Sequence, residues 1–117
     1  MSRIATIQSE VCAHYGITRE EMLGPRRFRK YTRPRFVAMA IVQDLIPDQS
    51  YPMIGCHFRR DHTTVINAVR NVNERRKDAE FDLEYQKMRS AIQARITPMF
   101  RHRDKEQFRT VRKGAAQ

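Results

Sequence analysis

Apolar residues recur along this chain at helical spacing, and no stretch alternates in the manner of a half-buried strand. Ile4, Ile7 and Val11 fall on one face of a first helix, which Gly16 is suited to end. Thr18 with Glu21 forms a capping box that opens a short second helix reaching Leu23, and Gly24-Pro25 breaks it. Val37, Ala40, Ile41 and Leu45 make the buried stripe of a third helix. Thr32 is placed to cap it, Pro34 sits in its first turn, and Pro47-Asp48 stops it. Ser50 and Pro52 start a short fourth helix that runs to about Phe58. Asp61 caps a fifth, with Val65, Ala68, Val69 and Val72 facing inward as far as about Lys77. Phe81, Tyr85, Met88 and Ile92 line a sixth, which Thr97-Pro98 is expected to end. The pattern predicts an all-α domain of six to seven helices over residues 1–97. A basic tail follows over residues 98–117, with room for one more helical segment around residues 100–111.

A short helix, a tight connection and a longer helix with a polar start form a helix-turn-helix. In that arrangement the fourth helix crosses a nucleic-acid backbone, and the fifth offers Asp61, His62, Thr63 and Thr64 to a major groove.

Charge sharpens this picture. The 117 residues hold 23 Lys and Arg against 13 Asp and Glu, a net charge of +10, so the natural partner is a polyanion. No apolar run reaches membrane-spanning length and no signal peptide opens the chain, which leads us to expect a cytoplasmic, nucleoid-associated protein without membrane contact. Cys12 and Cys56 form no CxxC pair and read as small buried thiols. Cys56, His57 and His62 lack a fourth ligand and regular spacing, so no metal site is expected. The acids are scattered and His62 has no nucleophile beside it, so no catalytic residue and no cofactor are expected.

The cations are concentrated where such a partner would lie. Arg26, Arg27, Arg29, Lys30, Arg33 and Arg35 fall in one stretch without an acid, interleaved with Phe28 and Tyr31. Arg59 and Arg60 stand directly before the fifth helix. Guanidinium groups there suit phosphates, while Asp, His and Thr can address base edges.

Three blocks, in order and spacing, resemble the C-terminal DNA-binding domain of the bacterial replication initiator family DnaA. They are Arg26-Arg27 with Arg33-Pro34-Arg35, Tyr51-Pro52-Met53-Ile54-Gly55, and Arg60-Asp61-His62-Thr63-Thr64-Val65, and the resemblance spans roughly residues 4–94. It implies that Arg27 enters the minor groove of a nine-base-pair box, and that Asp61, His62 and Thr63 read bases in its major groove. It implies phosphate contacts for Arg35, Pro52, Arg60 and Thr64, to which the local charge adds Arg26, Arg29, Arg33 and Arg59.

This sequence departs from the family pattern in the turn, where Phe58-Arg59-Arg60-Asp61 replaces a longer, glycine-bearing connection. A different turn, without a glycine conformation, is therefore expected. Pro25 and Gln43 stand where the family often carries lysines. None of the four glycines opens a phosphate-binding GxxxxGK[ST] loop, so no ATPase is expected and the chain resembles a stand-alone version of the domain. The expected partner is double-stranded DNA, read by a monomer, with dimerisation through the sixth helix or tail left open. The competing expectation is a module that binds the DnaA initiator or its regulators, with DNA contact secondary.

Overall fold

A computed structural model describes the backbone of residues 2–115 and the side chains of residues 2–98. Among the described residues the chain forms six helices and no strand: α1 (Arg3–Tyr15), α2 (Arg19–Leu23), α3 (Arg29–Leu45), α4 (Tyr51–Phe58), α5 (His62–Arg75) and α6 (Ala79–Ala115). Local chemistry sets most of the boundaries. Ser2 Oγ accepts from the Ala5 amide at 3.0 Å to start α1, and Gly16 ends it at φ 72, a left-handed conformation that costs glycine little. Thr18 and Glu21 form the reciprocal capping box of α2, with bonds of 3.0 and 2.9 Å.

Helix α3 lies at the centre and packs on α1, α2, α4, α5 and α6. Six consecutive residues, Val37 through Val42, are buried, so its middle is apolar all round rather than striped. Leu45, expected in the stripe, is only partly buried. Its start also differs from expectation. The helix begins at Arg29, Phe28 occupies the N-cap position without a side-chain cap, and Pro34 lies in the second turn. The cause is Tyr31, which is 7% exposed and anchors the segment in the core. With Tyr31 held, the Tyr31 and Thr32 amides both donate to the Phe28 carbonyl, at 2.8 and 2.9 Å, and the first turn closes there. Pro34 then forfeits one intrahelical bond.

Helix α6 buries Phe81, Tyr85, Met88 and Ile92 as expected, and Ile96 as well. It does not end at Thr97-Pro98 but runs on through both. Ile96, fully buried, holds the helix to the core just before the proline, and the Thr97 hydroxyl donates to the Gln93 carbonyl at 2.6 Å. The side chains of the expected basic tail lie outside the described residues. Tyr85 and Arg89 both reach Asp44 on α3, at 3.2 and 3.1 Å, and Glu10 on α1 pairs with Arg95 at 3.2 Å.

The cysteines part ways. Cys12 is buried beside Met22 Sδ at 3.8 Å, and burial pushes its thiol up to about 11. Cys56 is exposed on α4, contrary to the reading of both as core residues, because α4 buries Ile54, Gly55 and Phe58 instead. No helix among the described residues is long and apolar enough to cross a membrane.

Candidate nucleic-acid interface

Helices α4 and α5 and the turn between them form the helix-turn-helix. Ser50 Oγ accepts from the Met53 amide at 3.3 Å, and Pro52, in the first turn, is exposed. The turn is closed by the Arg60 amide donating to the Gly55 carbonyl at 2.9 Å and the Arg59 amide to the Cys56 carbonyl at 3.3 Å. Arg59 adopts the left-handed conformation, φ 58 and ψ 40, and is the only non-glycine residue with positive φ among the described residues. The glycine conformation expected to be lost is therefore kept, and an arginine bears its strain. Gly55 carries the close approach, since a Cβ there would stand 2.4 Å from the Arg60 carbonyl oxygen.

Asp61 begins α5. Its Oδ1 accepts from the Thr64 amide at 2.9 Å and from the Thr64 hydroxyl at 2.8 Å, so one oxygen serves as the cap. Those bonds, the backbone one first, hold the carboxyl below its ordinary value. Asp61, His62 and Thr63 are exposed at the head of the helix, Thr64 is half-buried behind them, and Val65, Ala68 and Val72 hold the opposite face in the core.

The basic loop before α3 lies against this turn. Pro25 through Lys30 are all exposed, with the Arg26 and Lys30 cations each 5.8 Å from the centre of the Tyr31 ring. Two arginines expected on phosphates hold the loop instead. Arg35 is 3% exposed; its Nε donates to the Met22 carbonyl at 2.6 Å, and its Nη2 to those of Gly24 and Arg26 at 3.1 and 3.2 Å. This guanidinium, expected on a phosphate, is aimed inward at three loop carbonyls in the free chain. Arg60 is half-buried and turned the same way, donating to the carbonyls of Phe58, Arg59 and Gly24. Burial, and then the nearby Arg60 charge, push Arg35 down to about 10.

Arg59, Asp61, His62 and Thr63 are exposed at the turn, Arg26 and Arg27 are exposed on the loop whose Gly24 carbonyl Arg60 holds, and Pro52 is exposed at the start of α4. Arg29 and Arg33 are exposed but look elsewhere, lining a cleft with Asn71 and Arg75 near the other end of α5. Two residues that support the site escaped the sequence reading. Gln8, 1% exposed, donates from Nε2 to the His57 carbonyl at 2.9 Å and accepts at Oε1 from Arg19, at 2.7 and 3.2 Å. The signal was present, because Gln8 stands among Ile4, Ile7 and Val11 on the buried face of α1, where a polar side chain needs partners.

The comparisons agree with this geometry. The family model described as the bacterial DnaA protein helix-turn-helix matches residues 4–72. The chain is 47% identical over 91 residues to the chromosomal replication initiator protein DnaA of Sphingopyxis alaskensis, covering 76% of this chain and 20% of that protein. It is 41% identical over 93 residues to the DnaA of Cereibacter sphaeroides, covering 78% and 20%. With the DnaA of Rhizobium meliloti it shares 45% over 73 residues, 62% of this chain and 15% of that one. The chain thus spans about a fifth or less of the length of these curated relatives. With α4, the turn and most of α5 inside the matched residues, the chain belongs to the family of the bacterial DnaA C-terminal helix-turn-helix domain.

Proposed function

We propose that this chain binds duplex DNA sequence-specifically at DnaA-type boxes and acts in replication initiation or its regulation, contributing no ATP hydrolysis of its own. The observation that carries the reading is the exposed head of α5. Asp61, His62 and Thr63 stand together on a helix whose other face is locked in the core, beside a cationic loop bonded to the same turn. Asp61 caps with one oxygen, which leaves the other to accept from a cytosine amino group. His62 can donate or accept, and the Thr63 methyl can pack on a thymine methyl. Arg27 is the candidate for a narrow, electronegative minor groove, and Arg26, Pro52 and Arg59 with the α5 amides are candidates for the phosphates between the grooves. The names of the DnaA relatives supply the replication context.

A fluorescence-anisotropy titration at physiological salt tests this, comparing a duplex that carries a DnaA-type box with a scrambled duplex of equal length. The expected outcome is binding to the box tighter by about a hundredfold, on the order of 3 kcal/mol. Equal binding to both duplexes overturns box reading. A second reading, a module that binds the initiator or its regulators, draws support from exposed apolar side chains on α4, with Tyr51 and Met53 at 36% and 48% exposure. It predicts that substitutions at Tyr51 and Met53 abolish activity while those at Arg27 and His62 do not.

A further inference from the structure

We infer that the cleft between the N-terminal half of α3 and the C-terminal half of α5 is a phosphate-binding site, separate from the reading head. Arg29, Thr32, Arg33 and Phe36 line it from α3, and Asn71 and Arg75 from α5, around a volume of about 280 Å³. Three guanidinium groups share this cleft and no carboxylate lines it. Arg75 is fixed there, its guanidinium stacked 4.0 Å from the centre of the Phe81 ring. Its Nη1 is nonetheless buried without a hydrogen-bond partner. Buried donors normally find acceptors, so this orphan on a residue of a cationic cleft marks a place for an anion.

The charges point the same way. Burial, and next the Arg33 charge, lower Arg75, so Arg33 and Arg75 repel each other across the cleft in the free protein. Glu84 also faces Arg75, but its carboxylate is engaged by His14 at 2.9 Å. A phosphate between the arginines replaces that repulsion with charge-assisted bonds, and its tetrahedral oxygens match the planar forks of Arg29, Arg33 and Arg75. Asn71 adds an amide donor one turn before Arg75 on α5.

The phosphate can come from two sources. Asn71 and Arg75 lie about 15–20 Å along α5 from Asp61 at 1.5 Å per residue, so a DNA backbone in the cleft would be flanking DNA outside the recognised site. This source rests on the proposed function; free inorganic phosphate does not.

The experiment uses inorganic phosphate as the probe and three forms of the chain: unmodified, Arg33→Gln in the cleft, and Lys87→Gln as an exposed cation on α6 outside it. Phosphate should raise the melting temperature of the unmodified chain and of Lys87→Gln, and raise that of Arg33→Gln much less. Without phosphate, Arg33→Gln should melt no lower than the unmodified chain, because it removes a repulsion. An equal phosphate effect on all three overturns the site, since general exclusion of the salt from protein surfaces would then account for it. Binding to a long flanked duplex and to a short one then identifies the source. If the backbone occupies the cleft, Arg33→Gln reduces the salt slope by about 1 on the long duplex only. Unchanged DNA binding alongside a lost phosphate effect assigns the cleft to free phosphate. Failure of the unmodified chain to bind any duplex sinks the DNA reading alone.

Discussion

Arg35 and Arg60 donate to the same oxygen, the carbonyl of Gly24, one from the second turn of α3 and the other from the turn before α5. Two like charges converge on one acceptor because the loop carbonyls of Met22, Leu23, Gly24 and Arg26 all point to that spot. Arg35→Ala leaves the Met22 and Arg26 carbonyls without this donor, while Leu23 and Gly24 keep Arg60, and it should cost about 2–3 kcal/mol of stability, read from denaturant midpoints. Any loss of DNA binding should follow the unfolding. A variant of undiminished stability that binds all duplexes weakly would restore Arg35 as a phosphate contact.

Arg59→Gly should raise stability by about 1 kcal/mol, since glycine adopts φ 58 without strain. If Arg59 touches a phosphate, the same variant should lose about one unit of salt slope. A lower denaturation midpoint would mean that the Arg59 side chain stabilises the turn by more than its backbone strains it.

Gly55→Ala should destabilise by about 2 kcal/mol or more, because the added methyl meets backbone rather than a movable side chain. Thermal unfolding measures this directly, and an unchanged midpoint would show that the turn can open by several tenths of an ångström at little cost.

Four exposed arginines besides the minor-groove candidate, Arg26, Arg29, Arg33 and Arg59, predict a slope of log K against log salt of about −3.6 if all meet phosphates. His62→Ala should leave that slope unchanged and narrow the ratio between box and scrambled duplexes. A flat salt response in the unmodified chain would argue against DNA as the partner.

Acid should loosen the helix starts. Asp61 and Glu21 are both held below their ordinary values of 3.8 and 4.5, each first by a backbone hydrogen bond at its cap. The folded state therefore takes up these protons less readily than the unfolded one. Their contribution is complete above the ordinary values and fades as pH falls through the lower folded ones. Melting curves from neutral to acid pH should show this, and Asp61→Asn should flatten the Asp61 part while keeping a cap.

Much of the architecture was legible in the sequence because caps and stripes are local. Gly16, the Thr18–Glu21 box, Ser50 and Asp61 each bound a helix where the residue pattern placed it. The head of α5 was legible for the same reason, its polar run standing directly ahead of Val65. Tertiary packing hid the rest. Thr32 is a sound cap by composition, yet the burial of Tyr31 starts α3 earlier. Arg35 and Arg60 look like any arginines in a basic stretch, and only the folded loop shows them spent on carbonyls. Spacing also put Arg29 and Arg33 with Arg27, whereas helix geometry carries them round to Asn71 and Arg75.

The Gln8 amide joins positions forty-nine residues apart, and with Arg19 it ends on the last turn of α4. The tip of the helix-turn-helix therefore shares its opening equilibrium with the first helix of the chain. Backbone amides that end α4 should exchange with solvent on the same free-energy scale as those of α1, as members of one cooperative unit. Any event that peels α1 from the core, whether heat, a cut or a competing partner, would slacken the recognition turn at a distance without touching a residue on its surface.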